Sequence, residues 1–218
     1  MKKAIIFDMD GTLFDTESIY HMGWERVALQ YGQVFQPEFQ IAACGTTGQK
    51  MLDTVHQYYP EVDAPSFVRD CSKWFEEQVR KELPEKPGLP EILNYMKEQG
   101  FKMAIASGSR LEMIKHNLQK AGIENYFEVI ASGHEVERGK PEPDVFLLAV
   151  ERLGLNPKEC YVIEDGVNGV KAGIAAGCDT IMVPDLIQPD DELKEKCCGV
   201  YNSLLAVIDA FEKGNLPK

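Results

Sequence analysis

Asp8 and Asp10 stand two residues apart in Asp8-Met9-Asp10-Gly11-Thr12, directly behind an apolar run. A carboxylate in that place can serve as nucleophile and metal ligand at once. A second one, two residues on, is spaced to reach a leaving-group oxygen, and the following glycine permits a sharp turn. Taken alone, the segment also fits a turn with an aspartate cap before a helix. Three later segments add to it. Ser107-Gly108-Ser109 offers small hydroxyls and open backbone N–H groups at a helix start, suited to phosphate oxygens as well as to plain capping. Lys140, in Gly139-Lys140-Pro141-Glu142-Pro143, is expected to open a helix. A lysine there opposes the helix dipole, which points to another duty, the neutralisation of phosphate. Glu164-Asp165 supplies a further pair of acids. With Asp8 and Asp10 they make an oxygen-rich, hard-cation set that suits Mg2+ better than zinc.

These residues need a scaffold that gathers them. Short apolar runs at 3–7, 102–107, 128–131, 161–164 and 180–183 are of strand length and nearly continuous rather than alternating. That is the pattern of parallel strands covered on both faces. Helix-length segments at 91–99, 111–121, 144–153 and 168–176 lie between them, each followed by a glycine suited to a helix end: Gly100, Gly122, Gly154 and Gly177. Strand–helix alternation predicts an α/β, doubly wound parallel sheet. Each chemical segment then falls at the end of a strand or the start of a helix, where open α/β sheets bind ligands. One interval breaks the rhythm. Residues 18–31, 49–59 and 66–83 carry helical patterns with no convincing strand, far more chain than one crossover needs. The expectation is a core domain of 1–14 and 84–218 with a helical domain, 15–83, inserted between its first two strands.

Composition bounds the partners. The chain has 218 residues, 44% hydrophobic and 27% charged, with a formal charge of −12. The acidity is offset by no Lys/Arg block, which argues against nucleic acid and anionic membrane as partners. There is no apolar run long enough to span a bilayer. Met1-Lys2-Lys3 is followed by only four apolar residues before Asp8, too few for a signal peptide. Cys44, Cys71, Cys160, Cys178, Cys197 and Cys198 contain no Cys-x-x-Cys pair and read as reduced thiols of a cytoplasmic protein. The adjacent Cys197 and Cys198 read as a helix end rather than a metal or redox pair. Of His21, His56, His116 and His134, only His21 is placed near the site; none has metal spacing.

The order Asp8-x-Asp10-Gly11-Thr12-Leu13, Ser107, Lys140, Glu164-Asp165 resembles the four motifs of the haloacid dehalogenase-like hydrolase superfamily. The stretches from Glu164 to Gly177 and from Lys140 to Phe146 resemble its helical-cap branch, which includes β-phosphoglucomutase and many sugar-phosphate phosphatases. The resemblance spans residues 4 to about 184. It implies a Rossmann-like core, a mobile lid, Mg2+ and an aspartyl-phosphate intermediate. Dehalogenases lack an acid at the place of Asp10, and membrane ATPases carry Lys-Thr after the nucleophile; neither pattern is present. The implied activity is phosphoryl transfer from a small phosphorylated metabolite.

On that resemblance Asp8 is the nucleophile and Asp10 the acid and base. Ser107, Gly108 and Lys140 hold the transferring phosphate. Asp8, Asp165 and the backbone carbonyl of Asp10 hold the metal, with Glu164, Thr12, Asn168 and His21 in supporting places. Burial under a closing lid would favour the protonated form of Asp10. A phosphatase is expected, acting as a monomer. A β-phosphoglucomutase-type mutase is the alternative within the family, and it calls for a basic grip on a second phosphate. In that branch an Arg lies three residues after a cap-loop glycine. The matching stretch, Cys44-Gly45-Thr46-Thr47-Gly48-Gln49-Lys50, has Gly48 in its place, with Lys50 or Lys73 as substitutes. Outside enzymes, a phosphoacceptor receiver domain gathers similar residues, but is about half as long and places its acceptor Asp after a middle strand. A catalytically silent relative would not need all four motifs.

Overall fold

The first strand, β1 (Ala4–Phe7), has every side chain fully buried. Its unbroken apolar run fits a central strand covered on both faces. The computed structural model describes residues 2–46 and 48–216; Met1 and Thr47, both used in the sequence reading, lie outside them. β1 pairs in parallel with β2 (Lys102–Ser107) on one side and β4 (Cys160–Glu164) on the other. β3 (Val129–Ser132) extends the sheet beyond β2, and β5 (Asp179–Met182) and β6 (Gly199–Val200) extend it beyond β4. The six-stranded order β3-β2-β1-β4-β5-β6 is the Rossmann-like, doubly wound α/β arrangement. The strand order reverses at β1 and β4, so a crevice forms where their carboxyl ends diverge. Asp8 follows β1 there, and its N–H continues the ladder to Ile163 O at 2.9 Å.

The chain divides into two compact units, one up to Phe14 and from Glu85 onward, the other Asp15–Pro84. The second unit is helical: α1 (Thr16–Gln30), α2 (Pro37–Ala43), α3 (Gly48–Tyr58) and α4 (Ala64–Lys81). Asp15 caps α1 and Asp63 caps α4, each accepting from a backbone N–H three residues on. The unit closes on an aromatic core in which Trp24 stacks parallel to Phe67 while Phe39 meets Trp24 edge-on. Trp24, Phe39, Tyr59 and Phe67 are buried in that core. The short α2 was not legible, since seven residues beginning at a proline carry too little periodicity.

In the α/β unit, α5 (Leu89–Glu98), α6 (Leu111–Lys120), α7 (Asp144–Leu153), α8 (Val167–Ala175), α9 (Asp191–Lys196) and α10 (Leu204–Glu212) flank the sheet. One side of the core is Ile6, Ala104 and Val162 from the strands, with Phe146 and Val150 from α7. Truncating the fully buried Phe146 to Ala would cost about 3–5 kcal/mol. Gly154 ends α7 in the left-handed region, φ +67°, as its place after the helix demands. The sequence reading ended at the fifth strand; β6, α9 and α10 lie beyond it. Cys197 does terminate α9, and all six cysteines are free thiols. Among the described residues no helix is long and apolar enough to cross a membrane.

Candidate active site

Asp8, Glu164 and Asp165 converge at the diverging ends of β1 and β4. One carboxylate oxygen from each lies within 4.8 Å of the other two, and all three residues are buried. In sequence Asp8 stands more than 150 positions from Glu164 and Asp165; the parallel register Phe7↔Ile163 brings them together. Lys140 reaches the same point. Its Nζ donates to Asp8 Oδ1 at 2.5 Å, to Glu164 Oε1 at 2.8 Å and to Ala106 O at 3.2 Å, so all three ammonium hydrogens are used. The ammonium also lies 4.8 Å from the centroid of the Phe146 ring. The expected placement of Lys140 needs correcting. It does not open a helix: α7 begins four residues later, at Asp144, because the prolines at 141 and 143 hold the intervening chain as a loop. Its charged partners here are the Asp8 and Glu164 carboxylates.

Two glycines are required by close approach. Gly11 has φ +83°, and a Cβ there would overlap the Asp165 carboxylate. Gly169, in α8, lies against Glu164 so closely that a Cβ would overlap its carboxylate. Glu164 is held in that niche by Gly166 N–H, which donates to Oε2 at 2.7 Å. Thr12 Oγ1 donates to Asp165 Oδ1 at 3.0 Å. Of the residues expected in supporting places, Glu164 is therefore part of the cluster and Thr12 bonds it directly. Asn168 lies half-buried in the first turn of α8. His21 belongs to the helical unit, where its Nδ1 is 2.6 Å from Gln40 Oε1 and its ring meets Phe35 edge-on.

The Asp10 carboxylate is not one of the three converging acids. Its Oδ2 accepts from Ser109 Oγ at 2.7 Å and from Ser107 Oγ at 3.3 Å. Ser107 is fully buried and also accepts from Ser109 N–H at 3.0 Å. Gly108, between them, is exposed with open space about it. The sequence reading assigned this serine loop to phosphate and missed its bonds to Asp10. It also missed Ser132 and Glu135, although Ser132-x-x-Glu135 is a capping-box spacing that a scan would find.

The electrostatics follow from burial. Desolvation pushes the Asp8 pKa up to about 8; Lys140 opposes this, and the Glu164 and Asp10 carboxylates reinforce it. Burial works against the Lys140 ammonium, but Asp8 and Glu164 outweigh it and hold its pKa above the ordinary lysine value.

A family profile described as haloacid dehalogenase-like hydrolase matches residues 5–183. The chain is 32% identical over 187 residues to a phosphorylated carbohydrates phosphatase of Thermotoga maritima, covering 82% of this chain and 83% of that protein. It is 30% identical over 183 residues to a fructose-1-phosphate phosphatase of Escherichia coli, covering 83% and 95%. Among solved structures, a hydrolase of Deinococcus radiodurans with bound phosphate and sodium aligns with a TM-score of 0.81 at 29% identity. That alignment covers 99% of this chain and 97% of the other.

Proposed function

The chain belongs to the haloacid dehalogenase-like hydrolases, and from that premise we propose that it is a Mg2+-dependent phosphatase. Its substrate is a small phosphomonoester of the sugar-phosphate class, cleaved through an aspartyl-phosphate on Asp8. The observation that carries this reading is the meeting of Asp8, Glu164 and Asp165 with the Lys140 ammonium at the strand ends. Three buried carboxylates against one ammonium leave a negative surplus, and their donors are all hard oxygens. That set fits Mg2+. Asp8 and Asp165, with the Asp10 carbonyl, would hold the ion, and Glu164 would anchor Lys140. When bound, the ion offsets the charge of the phosphoryl oxygens.

The rest falls to the chain's own groups. Asp8 attacks phosphorus in line with the leaving oxygen. Lys140 holds the attacking carboxylate in place, and Ser107 and the Gly108 N–H receive phosphate oxygens. As the P–O bond breaks, its electron pair goes to the departing oxygen, which takes a proton from Asp10. Asp10 then removes a proton from the water that attacks phosphorus, releasing inorganic phosphate and restoring Asp8. The relatives' names support sugar phosphates as the substrate class.

The test is phosphate release by purified protein from a panel of sugar phosphates, nucleotides and other phosphomonoesters, with EDTA and Mg2+ arms. Release that EDTA abolishes, Mg2+ restores and Asp8→Asn eliminates is expected. Full activity without metal would reject the cation, and substantial turnover by Asp8→Asn would reject the covalent route.

A further inference from the structure

The two serine hydroxyls on Asp10 are not equivalent. Ser107 has the longer bond, 3.3 Å, and the proposed reaction uses its hydroxyl for phosphate. Ser109 has the shorter one, 2.7 Å, and is braced from behind. Its backbone carbonyl accepts from Ser132 Oγ at 2.6 Å. Ser132 is fully buried at the end of β3, the register partner of Ser107. Its hydroxyl accepts from His134 N–H at 3.1 Å, and its own N–H donates to Glu135 Oε2 at 2.9 Å. Glu135 is clamped by Arg152 of α7, through Nη2 at 2.9 Å and Nη1 at 3.2 Å. Arg152 Nη1 also donates to Ile130 O at 2.7 Å. A continuous run of hydrogen bonds therefore leads from α7, through the end of β3, to the carboxylate of Asp10.

We propose that Ser109 is the residue that orients Asp10 for proton transfer, and that Ser132 is the positioning residue behind Ser109. The inference rests on the reading of Asp10 as the group that protonates the departing oxygen. The terminal torsion of an aspartate is broad and weakly restrained, while proton transfer in a transition state demands a fixed approach. A hydroxyl anchored through its own backbone supplies that restraint. It leaves Ser107 to bond the phosphate without releasing Asp10. Ser109 gives up no proton in the step. The proton passes from Asp10 to the leaving oxygen as the P–O bond breaks, and the bond's electron pair stays on that oxygen.

The test compares kcat/KM for p-nitrophenyl phosphate, phenyl phosphate and fructose 1-phosphate, in rising order of leaving-group basicity. This ratio covers steps only through leaving-group departure, so slow dephosphorylation does not distort it. A general acid matters most to the poorest leaving group and contributes about 10²–10⁴-fold. Ser109→Ala should lower kcat/KM for fructose 1-phosphate by about tenfold or more, for phenyl phosphate less, and for p-nitrophenyl phosphate by no more than about threefold. Ser132→Ala should give the same graded order at smaller amplitude. Ser109→Thr, which keeps the hydroxyl, should restore most of the loss. The rise of melting temperature with Mg2+ should match wild type throughout, while Ser132→Ala, which leaves Ser109 O and His134 N–H without that hydroxyl, should itself melt lower. Equal losses on all three esters, or no loss, would overturn the inference while leaving the phosphatase reading intact. Wild-type protein inert towards the whole panel of phosphomonoesters, these three included, would reject the phosphatase reading, and this inference with it.

Discussion

Lys140 Nζ lies 2.5 Å from Asp8 Oδ1, and the same ammonium bonds Glu164. The proposed nucleophile therefore rests on a lysine supplied from more than 130 residues away. Asp8 is buried and Lys140 is half-buried against it, so the bond fixes the carboxylate's direction. Lys140→Met should lower kcat by about a hundredfold or more, the scale seen when one preorganised electrostatic group is removed. Lys140→Arg should not rescue it. The three bonds fan out from one nitrogen to Asp8, Glu164 and Ala106 O, a pattern a planar guanidinium cannot copy. Recovery of half the activity by Lys140→Arg would contradict this account.

Asp8 also makes the metal-free fold pH-sensitive. Burial raises its pKa from 3.8 to about 8. Between those values the folded state holds a proton that the unfolded state has released, so stability falls as pH rises through that window. Asp8→Asn removes the titration. In EDTA, wild-type protein should lose melting temperature from pH 5 to pH 8, and Asp8→Asn should lose less. Each kcal/mol moves the melting point of a chain this size by about 2–4 °C, so a gap of at least about 4 °C at pH 8 is expected. Parallel pH profiles for the two proteins, read by thermal melting, would rule it out.

The strand residues of this site were readable because central parallel strands leave a plain mark: an apolar run, then the acid. Asp8 and Glu164-Asp165 each follow such a run. Edge and terminal elements leave no such mark. β6 has two residues, and α2 and α9 have seven and six, too short for a helical period to show. Within the site, residue types were legible but pairings were not. Lys140 could be read as a charge near phosphate, whereas its partnership with Asp8 and Glu164 depends on the loop path set by the prolines at 141 and 143. Ser109 and Ser132 were hidden for the same reason, since a serine after a strand is as readily a cap as a partner for a distant carboxylate.

Gly169 and Gly173 separate the site from the scaffold. Both lie in α8, and both admit no Cβ without displacement. At Gly169 the obstacle is the Glu164 carboxylate, which holds Lys140; at Gly173 it is Thr180 and Val162 of the sheet. Gly169→Ala should therefore cut kcat by at least tenfold, beyond any loss of stability. Gly173→Ala should lower the melting temperature while the folded fraction keeps near-normal kcat. Overpacking of this kind costs about 1–3 kcal/mol. Normal turnover by Gly169→Ala in Mg2+ would show that Glu164 is dispensable.

Phosphatase and mutase chemistry share Asp8 and Asp10 and differ in what holds a second phosphate. A mutase must grip that distal group while the other end of the sugar reacts, best with an Arg fork. The resemblance puts such an Arg at Gly48, and Thr47 beside it lies outside the described residues. Gly48 opens α3 with φ +55°. An arginine in that left-handed conformation would carry strain of about 1–2 kcal/mol. The position therefore lacks the fork and is built for a glycine. Missing a charged hydrogen bond of this type costs about 1.5–3 kcal/mol in holding a bisphosphate. Lys50, two residues on in α3, is exposed and offers one point charge instead of a fork. On the proposed mechanism the phosphorylated enzyme would then be left to water, with net hydrolysis the expected outcome. Supplied with β-glucose 1-phosphate and a trace of glucose 1,6-bisphosphate, the protein should release inorganic phosphate. Coupled assay of glucose 6-phosphate against free phosphate decides the matter: rapid glucose 6-phosphate with little phosphate would make the protein a mutase.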